Sequence, residues 1–203
     1  MTGPALPPRR EGSHHDTVSM HCHDSDATGA YREAHARLLN INGWHLLNQA
    51  VRTEFQLCDA DGSPVDRLPR VGDCIRIDLP GPGSPSGGGY DWVAITEMDE
   101  VDGEFPYASI TVAPCPAPGT DEEAVAHFFA AGATNTFVVR RVGNCVQAEV
   151  HGRNEKPNNT DPALLDRIRN EAVALAGKVG LSNIQWIDWA RGVVSVVEAD
   201  PDR

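Results

Sequence analysis

No stretch of this 203-residue chain approaches the roughly 18 consecutive apolar residues of a membrane-crossing helix. The first 30 residues also lack an apolar run of signal-peptide length. These absences predict a cytoplasmic protein, or one exported without a conventional signal. Basic residues are scarce: 17 Lys and Arg face 29 Asp and Glu, for a net charge of −12. That balance disfavours nucleic acid and anionic membranes as partners. The basic doublets Arg9-Arg10 and Arg140-Arg141 are too small for a nucleic-acid footprint. The five cysteines are odd in number and scattered, and none is paired at C-x-x-C spacing. Reduced thiols are therefore expected, with neither a disulfide framework nor a zinc knuckle. The nucleophile and metalloprotease motifs G-x-S-x-G, S-x-x-K and H-E-x-x-H are missing as well.

What remains is an ordinary folded composition, with 40% hydrophobic and 23% charged residues. The 19 glycines and 15 prolines call for many turns and argue against a helical bundle. Residues 1–30 are rich in Pro, Gly, Ser, His and Asp without a clear period, and read as a flexible His-containing tail. Translation could equally start at Met20. Residues 31–203 then form a single α+β domain.

Helix-favouring residues occupy 31–39, and a second short helix is expected from Gly43 to Leu47. From residue 51 the period changes to two. Val51, Thr53, Phe55 and Leu57 alternate with polar residues, and Ile75, Ile77 and Leu79 repeat the pattern. Further strands are expected over 90–98, 107–113, 135–141 and 145–153, the last two joined by the tight turn Val142-Gly143-Asn144. The short connections exclude crossover helices, so the sheet should be antiparallel. Thr120 and Glu123 fit a capping box for a helix over 122–131. Asp161-Pro162 opens a longer helix to 179 with a stripe of Leu164, Leu165, Ile168, Leu175 and Val179. Ser182 and Gln185 resemble another capping box, and a last strand is expected over 193–197. The expected architecture is an antiparallel β-meander of about six strands, curled into a small barrel or half-barrel and covered by the long C-terminal helix. Its interior should bury Ile75, Ile77, Phe137 and Val150 together.

The glycine-rich loop over 81–89 is the most unusual feature. Gly83, Gly87 and Gly88 would let a backbone approach a ligand, but no lysine follows and the loop leads into a strand, unlike a phosphate loop. With Tyr90 and Trp92 beside it, and Trp186 and Trp189 elsewhere, it suggests a ligand- or partner-binding surface, while core packing is the default for at least two of the four tryptophans, Trp44 included. His151, Arg153 and Glu155 alternate on one strand face, where they could act as base, anion clamp and acid. Strict alternation also describes any solvated strand face. His127 and Asp91 are further weak catalytic candidates, His127 being equally explained by a helix C-terminus and neighbouring aromatics. In the tail, His14, His15, His21, Cys22 and His23 are weak candidates for a divalent metal. Asp59-x-Asp61-Gly62 and the acidic run from Glu97 to Glu104 lack calcium-loop spacing and read as turns and edges. No other cofactor is expected.

These features favour a non-catalytic binding or assembly module for a protein or small ligand over an enzyme. The alternatives are a small enzyme with a His/Asp/Arg/Glu site beneath the glycine-rich loop, and metal binding by the histidine tail.

Overall fold

Alternating residues become strands wherever one side of the alternation can be buried, and among the described residues this happens seven times. The computed structural model describes residues 3–48, 52–79, 84–120, 124–158 and 184–195. The expected helix over 161–179, Ser182 and Gly83 lie outside them.

The strands are β1 (Ser13–Cys22), β2 (Glu54–Cys58), β3 (Cys74–Asp78), β4 (Asp91–Val101), β5 (Tyr107–Pro114), β6 (Thr134–Val142) and β7 (Cys145–Glu155). They form one antiparallel sheet in the order β1-β7-β6-β5-β4-β3-β2. Strands β2 to β7 make the expected meander. The sheet is not closed: β1 and β2 stand at opposite edges, so the expected barrel opens out into a seven-stranded α+β sheet. The extra strand comes from the segment read as a tail, which supplies β1, while helix α1 (Thr28–Leu39) begins at its end. Its composition hid it because an edge strand at the margin of a core needs few apolar residues.

One face of the sheet carries the core. Phe55, Leu57, Ile75, Ile77, Ile110, Phe137 and Val150 point to α1, to the short helix Ile41–Leu46 and to the helix over 184–194. The four side chains expected to meet, Ile75, Ile77, Phe137 and Val150, are all buried in this cluster. Its centre is aromatic. Trp44 packs on Phe137 and Trp189 at ring separations of 4.7 and 5.3 Å, and Trp186 lies 5.0 Å from Phe137. The 184–194 helix explains this: Trp186, Trp189, Ala190 and Val193 recur at helical spacing and turn inward together. Residues 193 and 194 continue this helix in place of the strand expected there. Arg37 of α1 binds the helix end, its Nη1 donating to the carbonyls of Gly192, Val193 and Ser195. A cation at that end also suits the helix dipole.

Residues 124–131 are not helical, contrary to the capping-box reading. The Thr120 hydroxyl donates to the Ala117 carbonyl and closes a turn. The following backbone joins the sheet margins instead, with Trp92 N donating to Ala126 O and Asn158 N to Phe128 O. No helix among the described residues is long and apolar enough to cross a membrane.

Candidate functional site: a buried ion-pair cluster under an edge strand

The second face of the sheet is polar where β6, β7 and β1 meet. Alternation along β7 sends Val146, Ala148 and Val150 to the core and Glu149, His151, Arg153 and Glu155 to this face. Such a row was expected to be solvated, yet all four residues are buried. The chain ahead of β1 accounts for part of the burial. Asn154 accepts from Arg10 N and donates to Pro8 O, and Lys156 pairs with Glu11. Asn154 is also the only non-glycine residue described with a positive φ, 58°, a conformation asparagine tolerates.

Register brings β1 to this row. Asp16 lies opposite His151, which lies opposite Thr136 on β6. His151 is held between two carboxylates, with Nδ1 2.6 Å from Asp16 Oδ1 and Nε2 2.7 Å from Glu149 Oε2. Arg153 donates to the same Asp16 oxygen at 2.6 Å and to the carbonyls of His15 and Gly152. Arg140 forms an ion pair with Glu149 at 2.6 Å, and His15 Nδ1 lies 3.2 Å from Glu155. Burial opposes charge on His151, but the hydrogen bonds and charges of Glu149 and Asp16 outweigh it and raise its pKa. Burial likewise opposes the Asp16 carboxylate, and its bonds to His151 and Arg153 prevail, holding its pKa down to about 2. Both nitrogens of an imidazolium are thus occupied as donors, which leaves neither as a general base.

The other sequence-level candidates separate. Trp189 is fully buried and Trp186 and Trp92 nearly so, which corrects their reading as an exposed binding surface. Trp92 donates its indole N–H to the Gly87 carbonyl, so the described part of the glycine-rich loop folds down onto it. Gly88 remains exposed, and Tyr90 stacks under Arg76 at 4.6 Å. His127 sits in irregular backbone, its ring 4.4 Å from that of Phe128 and its Nδ1 accepting from Phe129 N. Asp91 is buried at the start of β4.

The histidine cluster does not assemble either. His14 accepts from Asn154 N at one end of β1, while His21 and His23 meet edge-on at the other. Cys22 is not a free ligand, because it forms a disulfide with Cys145, which corrects the expectation that every thiol is reduced. The sequence hid this bond because its two residues are 123 positions apart and neither belongs to a motif. Among the described residues no group of three or more His, Cys, Asp or Glu could hold a metal ion. The participation of Asp16 and Arg140 in this cluster was also not foreseen. Alternation pointed to Glu149, but nothing local marks Asp16.

The two sheet edges differ. On β2 the chain covers its own edge: Leu57 N donates to Asn42 Oδ1, Val65 N to Leu57 O, and Cys58 bridges Pro64. On β1 the described strand pairs only with β7. His23 N donates to Asn144 O, and by the alternation of an antiparallel ladder this turns the amides and carbonyls of Asp16, Val18 and Met20 away from β7. Val18 and Met20 are also exposed, at 52% and 59%. No protein-family model matches this chain, and no curated protein matches it.

Proposed function

We propose that this chain is a non-catalytic binding or assembly module that takes an extended segment of a protein partner along the outer edge of β1. The observation that carries the reading is the contrast between the edges: β2 is covered by its own chain, and ten-residue β1 is open among the described residues. Strand addition uses such an edge, with main-chain hydrogen bonds giving affinity and neighbouring side chains giving selectivity. β1 suits the task because the Cys22–Cys145 disulfide fastens one end and the Asp16, His151 and Arg153 cluster the other. A template already ordered loses little entropy on binding. Between these anchors Thr17 to Met20 carry no charge and no proline, the usual protections of an exposed edge. The disulfide favours an oxidising compartment for the folded chain over the reducing cytoplasm.

The enzyme reading draws on the convergence of His151, Arg153 and Glu155, but their polar groups are directed at one another and at β1. The cluster serves the edge in this reading.

Met20→Pro tests the proposal, because residue 20 sends its amide outward and proline there spares the ladder to β7. Partners recovered from the native organism by the intact protein should be lost with this variant while its thermal midpoint is kept. Recovery of the same partners by a folded Met20→Pro protein would overturn the reading.

A further inference from the structure

The outer groups of β1 belong to its even-numbered residues. Cys22 and Cys145 form a narrow pair, their Cα atoms 4.0 Å apart, of the kind that exchanges no ladder bonds, so Cys22 joins Asp16, Val18 and Met20 in turning its amide and carbonyl outward. The side chains of the same four residues lie on the polar face, where Val18 and Met20 stand opposite Glu149 and Gln147 and are both more than half exposed. An incoming strand must offer main-chain groups to these residues and apolar side chains to Val18 and Met20.

β1 itself meets both demands. When two identical strands pair antiparallel, outward residues face outward residues, and the register is fixed by the residue on the two-fold axis. With Val18 on the axis, Met20 of each copy faces the Asp16 carboxylate of the other. With Met20 on the axis, Asp16 faces Asp24, a pair of like charges. With Thr17 there, Val18 faces Asp16 and Met20 faces His14. Only with Ser19 on the axis do both exposed apolar residues face apolar residues, Val18 of each copy against Met20 of the other. In that register Asp16 faces Cys22 and Thr17 faces His21, and within β1 no carboxylate opposes a carboxylate.

We propose that two copies of this chain pair antiparallel along β1, about a two-fold axis through Ser19, and join their sheets into one. The inference rests on the reading of β1 as a docking edge and names a second copy as the strand it takes. Each chain carries a charge of −12, but the one carboxylate of β1, Asp16, is neutralised from within by His151 and Arg153, so the seam itself is not a line of repulsion. The opposite edge, β2, is covered by its own chain, so the pairing closes at two copies and does not run on into a fibre. The amide and carbonyl of Ser19 point to β7, which makes Ser19 and its counterpart a narrow pair with Cα atoms about 4.5 Å apart. Cysteines at that spacing are within disulfide reach.

Sedimentation of the full chain should give twice the mass of one chain. Met20→Pro, which withdraws one outward amide from each copy, should return it to the mass of one. Met20→Lys should do the same by setting a charge against Val18 of the other copy, and its exposed position keeps the test open if the proline variant misfolds. With oxidised glutathione, Ser19→Cys should link two copies through residue 19, located by peptide mapping, and Thr17→Cys, which faces His21, should not. A monomeric full chain, a dimer untouched by both Met20 variants, or a Ser19→Cys chain left unlinked would each overturn the proposal. The two readings fail separately. If the full chain is monomeric and Met20→Pro still loses partners drawn from the native organism, the edge takes a different strand; if Met20→Pro keeps them, the edge reading falls as well.

Discussion

Cys22 and Cys145 face each other across the β1–β7 ladder, their Cα atoms 4.0 Å apart, and join strands whose residues are 123 positions distant in sequence. Closing so long a loop removes much unfolded-chain entropy, by loop-entropy arithmetic up to about 5 kcal/mol. Reduction should therefore lower the thermal midpoint, and hydrogen exchange should accelerate first over β1. Slow exchange in β4 and β5 should persist, because those strands are paired on both sides. Uniform acceleration across the sheet would show that β1 is not an independent unit.

The ion-pair cluster gives β1 a pH dependence of definite sign. The pKa of His151 is raised in the folded state, so its contribution is complete below the unfolded value near 6.5 and is lost as pH rises through the folded value. Asp16 acts at the other end: its contribution is present above the unfolded value near 3.9 and is lost as pH falls toward about 2. The clasp is strongest between these limits. Thermal midpoints should fall from pH 6.5 to pH 9, and His151→Gln should flatten that slope. An unchanged slope in the variant would remove His151 from the account.

How much of this was legible follows from which contacts are local. Strands β2 to β7 were readable because Phe55, Leu57, Ile75 and Ile77 alternate against polar neighbours, which only a half-buried strand requires. β1 was not, because its core-side residues Thr17, Ser19 and His21 lie at the margin of the sheet and need not be apolar. The shared face of His151, Arg153 and Glu155 was legible from their spacing. Their burial was not, since part of it comes from Asp16 and from residues 8–11, more than 130 positions away. For Trp186 and Trp189 the sequence left surface and core both open, and their spacing of three decides for the core, because it is that of a helix turning one side inward.

The aromatic centre yields a prediction opposite to a binding role for the tryptophans. Trp189 is fully buried against Trp44 and Phe137, so Trp189→Ala should cost about 3 to 5 kcal/mol. Chemical denaturation would show it as a lower midpoint. Trp189→Phe should recover part of the loss, because an aromatic ring still fills most of the space. A normal midpoint for the alanine variant would place Trp189 outside the core.

Gly192 ties the 184–194 helix to the short helix beneath it by close approach. A methyl group there would lie 2.6 Å from the Leu47 carbonyl oxygen and 2.9 Å from Leu47 Cα, and backbone cannot swing aside as a side chain can. Gly192→Ala should thus force the two segments apart and strain the bonds from Arg37 to the helix end. The expected cost is about 1 to 3 kcal/mol, as for other overpacked sites, even though alanine is the better helix former. The comparison separates the two effects cleanly, because intrinsic propensity alone would make the variant more stable by up to about 1 kcal/mol. A raised denaturation midpoint would mean that Leu47 and the 184–194 helix do not touch in solution.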